Sequence, residues 1–344
     1  MSRIVIELTN RCNLRCQHCP DGRHGGKGEM SLDIIAAILS SAQSEGFTEL
    51  AFTGGEPTLH RHFIDILKDS TDAGYQFGFV TNGWSFAKHY EALLPLRDAL
   101  TGLTFSMDGA SAATHDHIRG KDSFRRLMQA FSICVLKGIP FAINMVITRA
   151  NQHEIENITT LAAALGSRGL RFGHFIETGR PTSDTLALDY KERRTAEARI
   201  WELQQTAAIP IAMAPGYHTT ELFPCASLHR EEFNIDWQGN VSPCCHLSGF
   251  GTNWGSEEVV ANLNHQGLAE ALAQLRCNNE SFRRNKLKRF SASNIGEENY
   301  SPCGDCLKQY GKPPAHALIA LAQLAKATRS AAISINKGIE TCWP

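Results

Sequence analysis

Net charge is nearly absent: 34 lysines and arginines stand against 35 aspartates and glutamates, a formal charge of −1 over 344 residues. A protein that held nucleic acid through its phosphates would carry a basic excess, so that class is set aside. Long apolar runs are missing too. The richest Ala/Leu stretch, 315–335, is interrupted by His316, Gln323, Lys326 and Arg329, which argues against a membrane span. No secretory signal opens the chain, because Glu7, Asn10, Arg11 and Arg15 break any apolar segment. A cytoplasmic location is the expectation. Cysteine is too sparse, eleven in 344, for a small secreted disulfide scaffold, and its number is odd. What is present is a 42% hydrophobic chain, enough for a sizeable core and for two domains.

Apolar β-type runs alternate with helical patterns through the first 215 residues. Strands are expected at 4–8, 49–52, 76–81, 103–106, 141–148 and 170–175, and helices at 31–44, 62–73, 124–136 and 151–164. Such alternation makes a parallel sheet with right-handed crossovers, and chemistry then sits in loops after the strand ends. After Pro215-Gly216 the chain becomes rich in loop residues. Beyond Pro313-Pro314 comes an Ala/Leu-rich helical pattern. The expected architecture is α/β: a partial (β/α)6 TIM-like barrel (1–215), a small loop-rich auxiliary domain (216–312) and a terminal helix (313–344).

The cysteines cluster. Cys12, Cys16 and Cys19 form C-x3-C-x2-C directly after the first strand, Cys134 stands alone, and the other seven fall in the last 120 residues. Three thiolates on one loop can converge on one soft metal centre, one short of a closed structural site. On a cubane cluster, three ligands leave one iron open. Zinc with His18 or His24 as fourth ligand is the competing assignment, although His18 sits between two cysteines that would already clamp the ion.

With Thr53-Gly54-Gly55-Glu56-Pro57 after the second strand, the triplet resembles the radical S-adenosylmethionine (SAM) enzymes. The resemblance implies a [4Fe-4S] cluster on Cys12, Cys16 and Cys19, with SAM on its open iron. It implies that the Gly54-Gly55-Glu56-Pro57 turn meets the methionyl amine, Glu56 supplying negative charge. Asn82 after strand three, Ser106 and Asp108 after strand four, and Asn144 on strand five match positions around SAM. His18 takes a place where relatives often carry an aromatic ring beside the adenine. The stretch His115-Asp116-His117-Ile118-Arg119-Gly120, followed by Ser123-Phe124, resembles one common in members with a C-terminal auxiliary cluster.

Cys225-x13-Gly239-x4-Cys244 and Cys303-x2-Cys306 supply four further thiolates. Spacing alone leaves zinc and iron–sulfur open. The resemblance extends to the SPASM and twitch extensions of the same superfamily and implies a second, auxiliary [4Fe-4S] cluster on Cys225, Cys244, Cys303 and Cys306. Cys245 can replace Cys244, act as a hydrogen-atom donor, or be a spare thiol. Cys277 stays unassigned, and Cys134 and Cys342 read as structural or incidental. The basic stretch 283–289 reads as a solvated face or as a grip for an anionic substrate or leader peptide. Glu177, Gly179 and Arg180 are candidate cavity residues.

The resemblance therefore implies an enzyme that cleaves SAM reductively and takes a hydrogen atom from its substrate, with flavodoxin or ferredoxin as electron donor. Oxidation or epimerisation of a small sugar-like or aminocyclitol-like carbinol suits the compact length. The cysteine motif starts at residue 12, which leaves no room ahead of it for a fused leader-binding domain. A peptide-modifying enzyme is the alternative within the class, and a non-catalytic iron–sulfur sensor or scaffold the alternative outside it.

Overall fold

The computed structural model describes residues 2–19, 26–176, 183–217, 221–229, 231–248, 255–292 and 301–312. Among these residues ten strands form one sheet. They are β1 (Arg3–Thr9), β2 (Glu49–Gly54), β3 (Gln76–Thr81), β4 (Leu100–Ser106), β5 (Ala142–Ile147), β6 (Leu170–His174), β7 (Ile211–Met213), β8 (Glu232–Ile235), β9 (Asn240–Ser242) and β10 (Ala261–Asn262). The helices are α1 (Leu32–Ser41), α2 (Phe63–Asp72), α3 (Phe86–Leu93), α4 (Ala112–Arg119), α5 (Ser123–Lys137), α6 (Ile155–Ala164), α7 (Ser183–Leu186), α8 (Tyr190–Thr206), α9 (Leu268–Ala292) and α10 (Pro302–Gln309). Strand order is β10-β9-β8-β1-β2-β3-β4-β5-β6-β7, and β1 to β7 run parallel. Six strand–helix units in succession, with unpaired edges at β7 and β10, make the partial barrel.

Side chains alternate along each strand, so one face of the sheet meets the helices and the other faces inward. The helix side carries Ile4, Ile6, Phe52, Phe77, Phe79, Phe105, Ile143 and Phe172, all at most 2% exposed. They pack with Ile38, Ile66, Phe131 and Ile158 from the helices. Phe105 meets Phe86 and Phe131 edge-on at 5.2 and 5.1 Å. Each such ring contributes roughly 1.5–3 kcal/mol by burial. The inner face instead carries Ala51, Thr53, Gly78, Gly102, Thr104, Gly173 and Ala212. With these small residues among the larger Val5, Asn144, Val146 and Arg171, the interior keeps a cavity.

The C-terminal part departs from a loop-rich expectation in two ways. β8 adds parallel to the free edge of β1, with Arg3 opposite Glu232, so the main sheet continues into it. α9 is a 25-residue helix. Its buried stripe Leu268, Ala271, Leu272, Leu275, Asn279, Phe282 and Lys286 keeps helical spacing but includes an asparagine and a lysine, which hides the apolar period. A second, small core of Leu228, Leu247, Phe282, Leu307 and Tyr310 packs against Cys225, Cys244 and Cys306. The expected helix at 313–344, with Cys342, and the residues Glu177, Gly179 and Arg180 lie outside the described residues.

Candidate active site and auxiliary thiol cluster

The triplet loop leaves β1 at Thr9, and backbone pairing fixes its course. Gly55 N–H donates to Thr9 O and Glu56 N–H to Arg11 O, both at 2.7 Å. This contact is what requires the two glycines. A Cβ on Gly55 would lie 2.1 Å from Arg11 O, and one on Gly54 2.3 Å from Thr9 O. Gly54 also has φ +131°, a region that disfavours other residues. The glycines thus dock the turn onto the root of the cysteine loop, a task separate from the approach to SAM expected from the sequence.

Glu56, Pro57, Thr81 and Asn82 build the adjoining floor. The Glu56 carboxylate is 1% exposed and accepts from Thr58 Oγ1 (2.6 Å), Thr81 Oγ1 (2.7 Å) and Asn82 N–H (2.8 Å). Burial nevertheless drives its pKa above the ordinary value. Pro57 opens the 3₁₀ turn that Glu56 caps. Asn82 Nδ2 donates to Asn13 Oδ1 at 3.0 Å and lies 3.9 Å from Cys12 Sγ.

The stretch 115–124 clamps the loop from the other side. Ile118 O accepts from Gln17 N–H at 2.9 Å, and His117 O from Gln17 Nε2 at 2.6 Å. Asp116 accepts from Asp122 N–H, Ser123 Oγ and Phe124 N–H, closing the turn into α5. His115 Nδ1 accepts from Asp108 N–H at 3.2 Å, and burial pushes this histidine down to about 4. Arg119 was not singled out from the sequence. Its Nε donates to Asp108 Oδ2 at 2.6 Å, and its Nη1 stands 4.0 Å from Cys16 Sγ.

Asp108 was expected to face SAM. It is fully buried instead, and its carboxylate also accepts from Val146 N–H at 2.9 Å. Burial alone would raise it, but Arg119, His18 and His115 hold it below the ordinary carboxylate value. His18 turns toward that carboxylate, with Nδ1 at 3.6 Å from Oδ2. Ser106 and Asn144 are neighbours in register across β4 and β5.

The three thiols fit the ligand set of an open cubane. Burial pushes Cys12 up to about 11 and Cys16 up to about 12, and the charge on Cys19 adds to both shifts. A metal therefore displaces protons when it binds. None of the ten cysteines among the described residues is in a disulfide.

The other four expected ligands all line one cavity. Cys303 and Cys306 sit three residues apart in the first turn of α10, which puts both thiols on one face. Ser301 caps that turn by accepting from Gly304 N–H at 3.3 Å. Cys244 Sγ caps a 3₁₀ turn by accepting from His246 N–H at 3.4 Å, and its thiol is raised first by a hydrogen bond with Cys245. Burial pushes Cys306 up to about 12, with Cys225 adding and Lys286 opposing. Lys286 belongs to the basic stretch yet is 0% exposed; it pairs with Asp305 at 3.4 Å and lies over Phe223. That stretch is therefore not a uniform solvated face: Lys286 is buried while Arg284, Lys288 and Arg289 are exposed. Cys277 is exposed on α9, and Cys134 is buried on α5.

A cavity of about 650 Å³ joins the barrel interior to these thiols. Its walls run from Thr53, Thr104, Asn144 and Val146 to Cys225, Cys244, Cys245, Cys303 and Cys306. Cys12, Cys16 and Cys19 stand beyond its wall. Val146 links the two regions, because it lines the cavity and binds Asp108 through its N–H.

Two family models match: the radical SAM superfamily over residues 6–162, and an iron–sulfur cluster-binding domain, SPASM, over 225–307. Residues 6–162 belong to the radical SAM superfamily. The two matched regions are those of radical SAM enzymes with a SPASM-type C-terminal domain, and the cofactors they indicate are a SAM-binding [4Fe-4S] cluster, SAM and auxiliary iron–sulfur. An AdoMet-dependent heme synthase of Methanosarcina barkeri is 33% identical over 181 residues, 52% of this chain and 51% of that one. A PqqA peptide cyclase of Rhodopseudomonas palustris is 27% identical over 252 residues, 70% of this chain and 66% of that one. The chain thus spans about half to two thirds of these relatives' length. In fold it is similar to Streptococcus suis SuiB bound to its precursor peptide SuiA (TM-score 0.63, 15% identity, 78% of this chain and 63% of that one). It is also similar to anSMEcpe with bound AdoMet and a peptide (TM-score 0.61, 17% identity, 78% and 79%). No helix among the described residues is long and apolar enough to cross a membrane.

Proposed function

We propose that this radical SAM enzyme oxidises a peptide held in the cavity, with an auxiliary cluster on Cys225, Cys244, Cys303 and Cys306 accepting an electron. The cavity carries the reading: it extends from the inner strand faces, Asn144 included, to the auxiliary thiols. Relatives named for peptide cyclisation, and a fold neighbour seen with a precursor peptide, support a peptide over a small carbinol. The preference for a carbinol drawn from the sequence rests on chain length and on the motif's start at residue 12, neither of which bears on what the cavity admits.

Cys12, Cys16 and Cys19 would hold the [4Fe-4S] cluster, which would supply the electron for reductive cleavage of SAM. The chain itself binds, orients and excludes water. Arg119 places a permanent positive charge beside Cys16, and Asp108, with no exposed surface, holds Arg119 in place. In our assignment the 54–57 turn, Asn82, Ser106, Asn144 and His18 surround SAM, and Asp108 acts on the site through Arg119. The peptide gives up one hydrogen atom and one electron and releases a proton, so the product is two hydrogens lighter. The division at residues 215 and 312, a flavodoxin or ferredoxin donor and a cytoplasmic setting complete the reading.

Anaerobic turnover with a short peptide encoded beside the gene is the test. The expected result is 5′-deoxyadenosine together with a peptide two hydrogens lighter. Turnover with small polyols and none with peptides overturns the reading. The place of Cys245 on the cavity wall favours one second reading, epimerisation with Cys245 as hydrogen-atom donor. Its mark in deuterated water is one solvent deuterium at an inverted carbon, lost in Cys245→Ala.

A further inference from the structure

His174 ends β6 and lines the cavity. Both its ring nitrogens are buried and without a hydrogen-bond partner. Its position is tightly defined. Gly216 lies against the ring so closely that a Cβ there would fall 1.8 Å from His174 Cε1, and the Tyr217 ring stands edge-on at 5.9 Å. Tyr217 is itself anchored, donating through its hydroxyl to Gly173 O at 2.9 Å. A buried imidazole with two unsatisfied nitrogens is costly unless something else uses them.

Two soft donors face it from the C-terminal domain. One donor atom from each of His174, His246 and Cys303 lies within 4.8 Å of the other two, and Cys303 Sγ is 4.0 Å from His246 Nδ1. A tetrahedral ion with bonds of about 2.3 Å to sulfur and 2.0 Å to nitrogen sets those donors ~3.5 Å apart. Donors this close suit one mononuclear ion. We propose that His174, His246 and Cys303 form a binding position for a single divalent ion of nitrogen/sulfur preference, of the zinc type, bridging the barrel and the C-terminal domain. Binding converts the Cys303 thiol to a thiolate and releases its proton. Three protein donors leave one coordination position for an exogenous ligand, and all three residues line the cavity. Because Cys303 also belongs to the auxiliary set, ion and auxiliary cluster exclude one another. The site is thus a point of competition during loading.

The test uses the full chain carrying Cys12→Ala, Cys16→Ala and Cys19→Ala, so that the first thiol set cannot take the probe. It is freed of iron under anaerobic conditions and titrated with Co²⁺ alone, with far-ultraviolet circular dichroism checking that the fold persists. One equivalent should give thiolate-to-cobalt charge transfer and the intense visible bands of a tetrahedral ion. Affinity should fall at least tenfold in His174→Ala and in His246→Ala, and stay within twofold in Cys225→Ala. Refilling with iron and sulfide to about four irons should abolish the cobalt bands. Bands that survive both histidine changes, bands that follow Cys225, or a folded chain that gives no tetrahedral spectrum overturns the site. Failure of the auxiliary-cluster reading shows separately, as a refilled chain that takes up no iron.

Discussion

Replacing His115 by Asn should flatten the dependence of stability on pH between 7.5 and 5.5. His115 is fully buried beside Arg119 and accepts from Asp108 N–H through Nδ1. Burial, with Arg119 adding, holds it down at about 4, against about 6.5 in an unfolded chain. The folded state then keeps the ring neutral while the unfolded state takes up a proton, so this contribution to stability is present at high pH. It is lost as pH falls through 6.5 towards 4. At pH 5.5 the loss amounts to about 1.4 kcal/mol, because one pKa unit is worth about 1.36 kcal/mol. Asp108, held below the ordinary carboxylate value, gives way only below about pH 4 and stays silent in this window. An Asn carbonyl can keep the acceptor for Asp108 N–H while removing the titration. Anaerobic urea unfolding of both proteins at pH 7.5, 6.5 and 5.5 measures the difference. The variant should lose about 1.4 kcal/mol less than the parent over the range, whatever its stability at pH 7.5. Parallel profiles would refute the reasoning.

Gly55→Ala should cost about 1–3 kcal/mol and empty the first cluster site, since the added Cβ meets the Arg11 carbonyl. Gly102→Ala, whose Cβ would meet nothing nearer than 3.8 Å, should keep its full iron content; equal iron in the two variants refutes the docking role. Arg119→Met leaves Asp108 buried without its ion-pair partner and should cost roughly 3–5 kcal/mol in urea unfolding. The double variant with Asp108→Asn should recover part of that loss, and strict additivity contradicts the pairing. Lys286→Met removes a buried cation beside Cys225, Cys303 and Cys306 and should make the auxiliary cluster harder to reduce. A tenfold shift in the equilibrium is about 59 mV for one electron, and an unchanged potential in an electron paramagnetic resonance titration rejects the effect.

The six barrel strands and the helices α1, α2, α5 and α6 were legible because their apolar residues repeat with the right periods and end at glycines. α9 was not: Asn279 and Lys286 occupy its buried stripe, and their partners, Ser227 O and Asp305, come from distant parts of the chain. The extension of the sheet by β8 was equally hidden, since pairing between Arg3 and Glu232 depends on a contact 229 residues apart. Motif spacing placed Cys12, Cys16 and Cys19 on one loop and brought Cys225, Cys244, Cys303 and Cys306 to one end of the cavity. It did not reveal which residues hold the motifs. The 115–124 stretch was read as a family signature, whereas its donors and acceptors show a clamp on the loop at Gln17 and a brace for Asp108. Asp108 illustrates why: an exposed aspartate that meets a ligand and a buried one that fixes an arginine look the same in a sequence. His174 carried no signal at all, being one polar residue at the end of an apolar strand.

The central claim is that Cys12, Cys16 and Cys19 hold the cluster that cleaves SAM. The most direct measurement is 5′-deoxyadenosine by mass spectrometry after anaerobic reconstitution, reduction and addition of SAM. The account predicts that 5′-deoxyadenosine accumulates in the parent and is abolished in Cys16→Ala, while the auxiliary site of the variant keeps about four irons. A parent that carries about eight irons and forms no 5′-deoxyadenosine contradicts it.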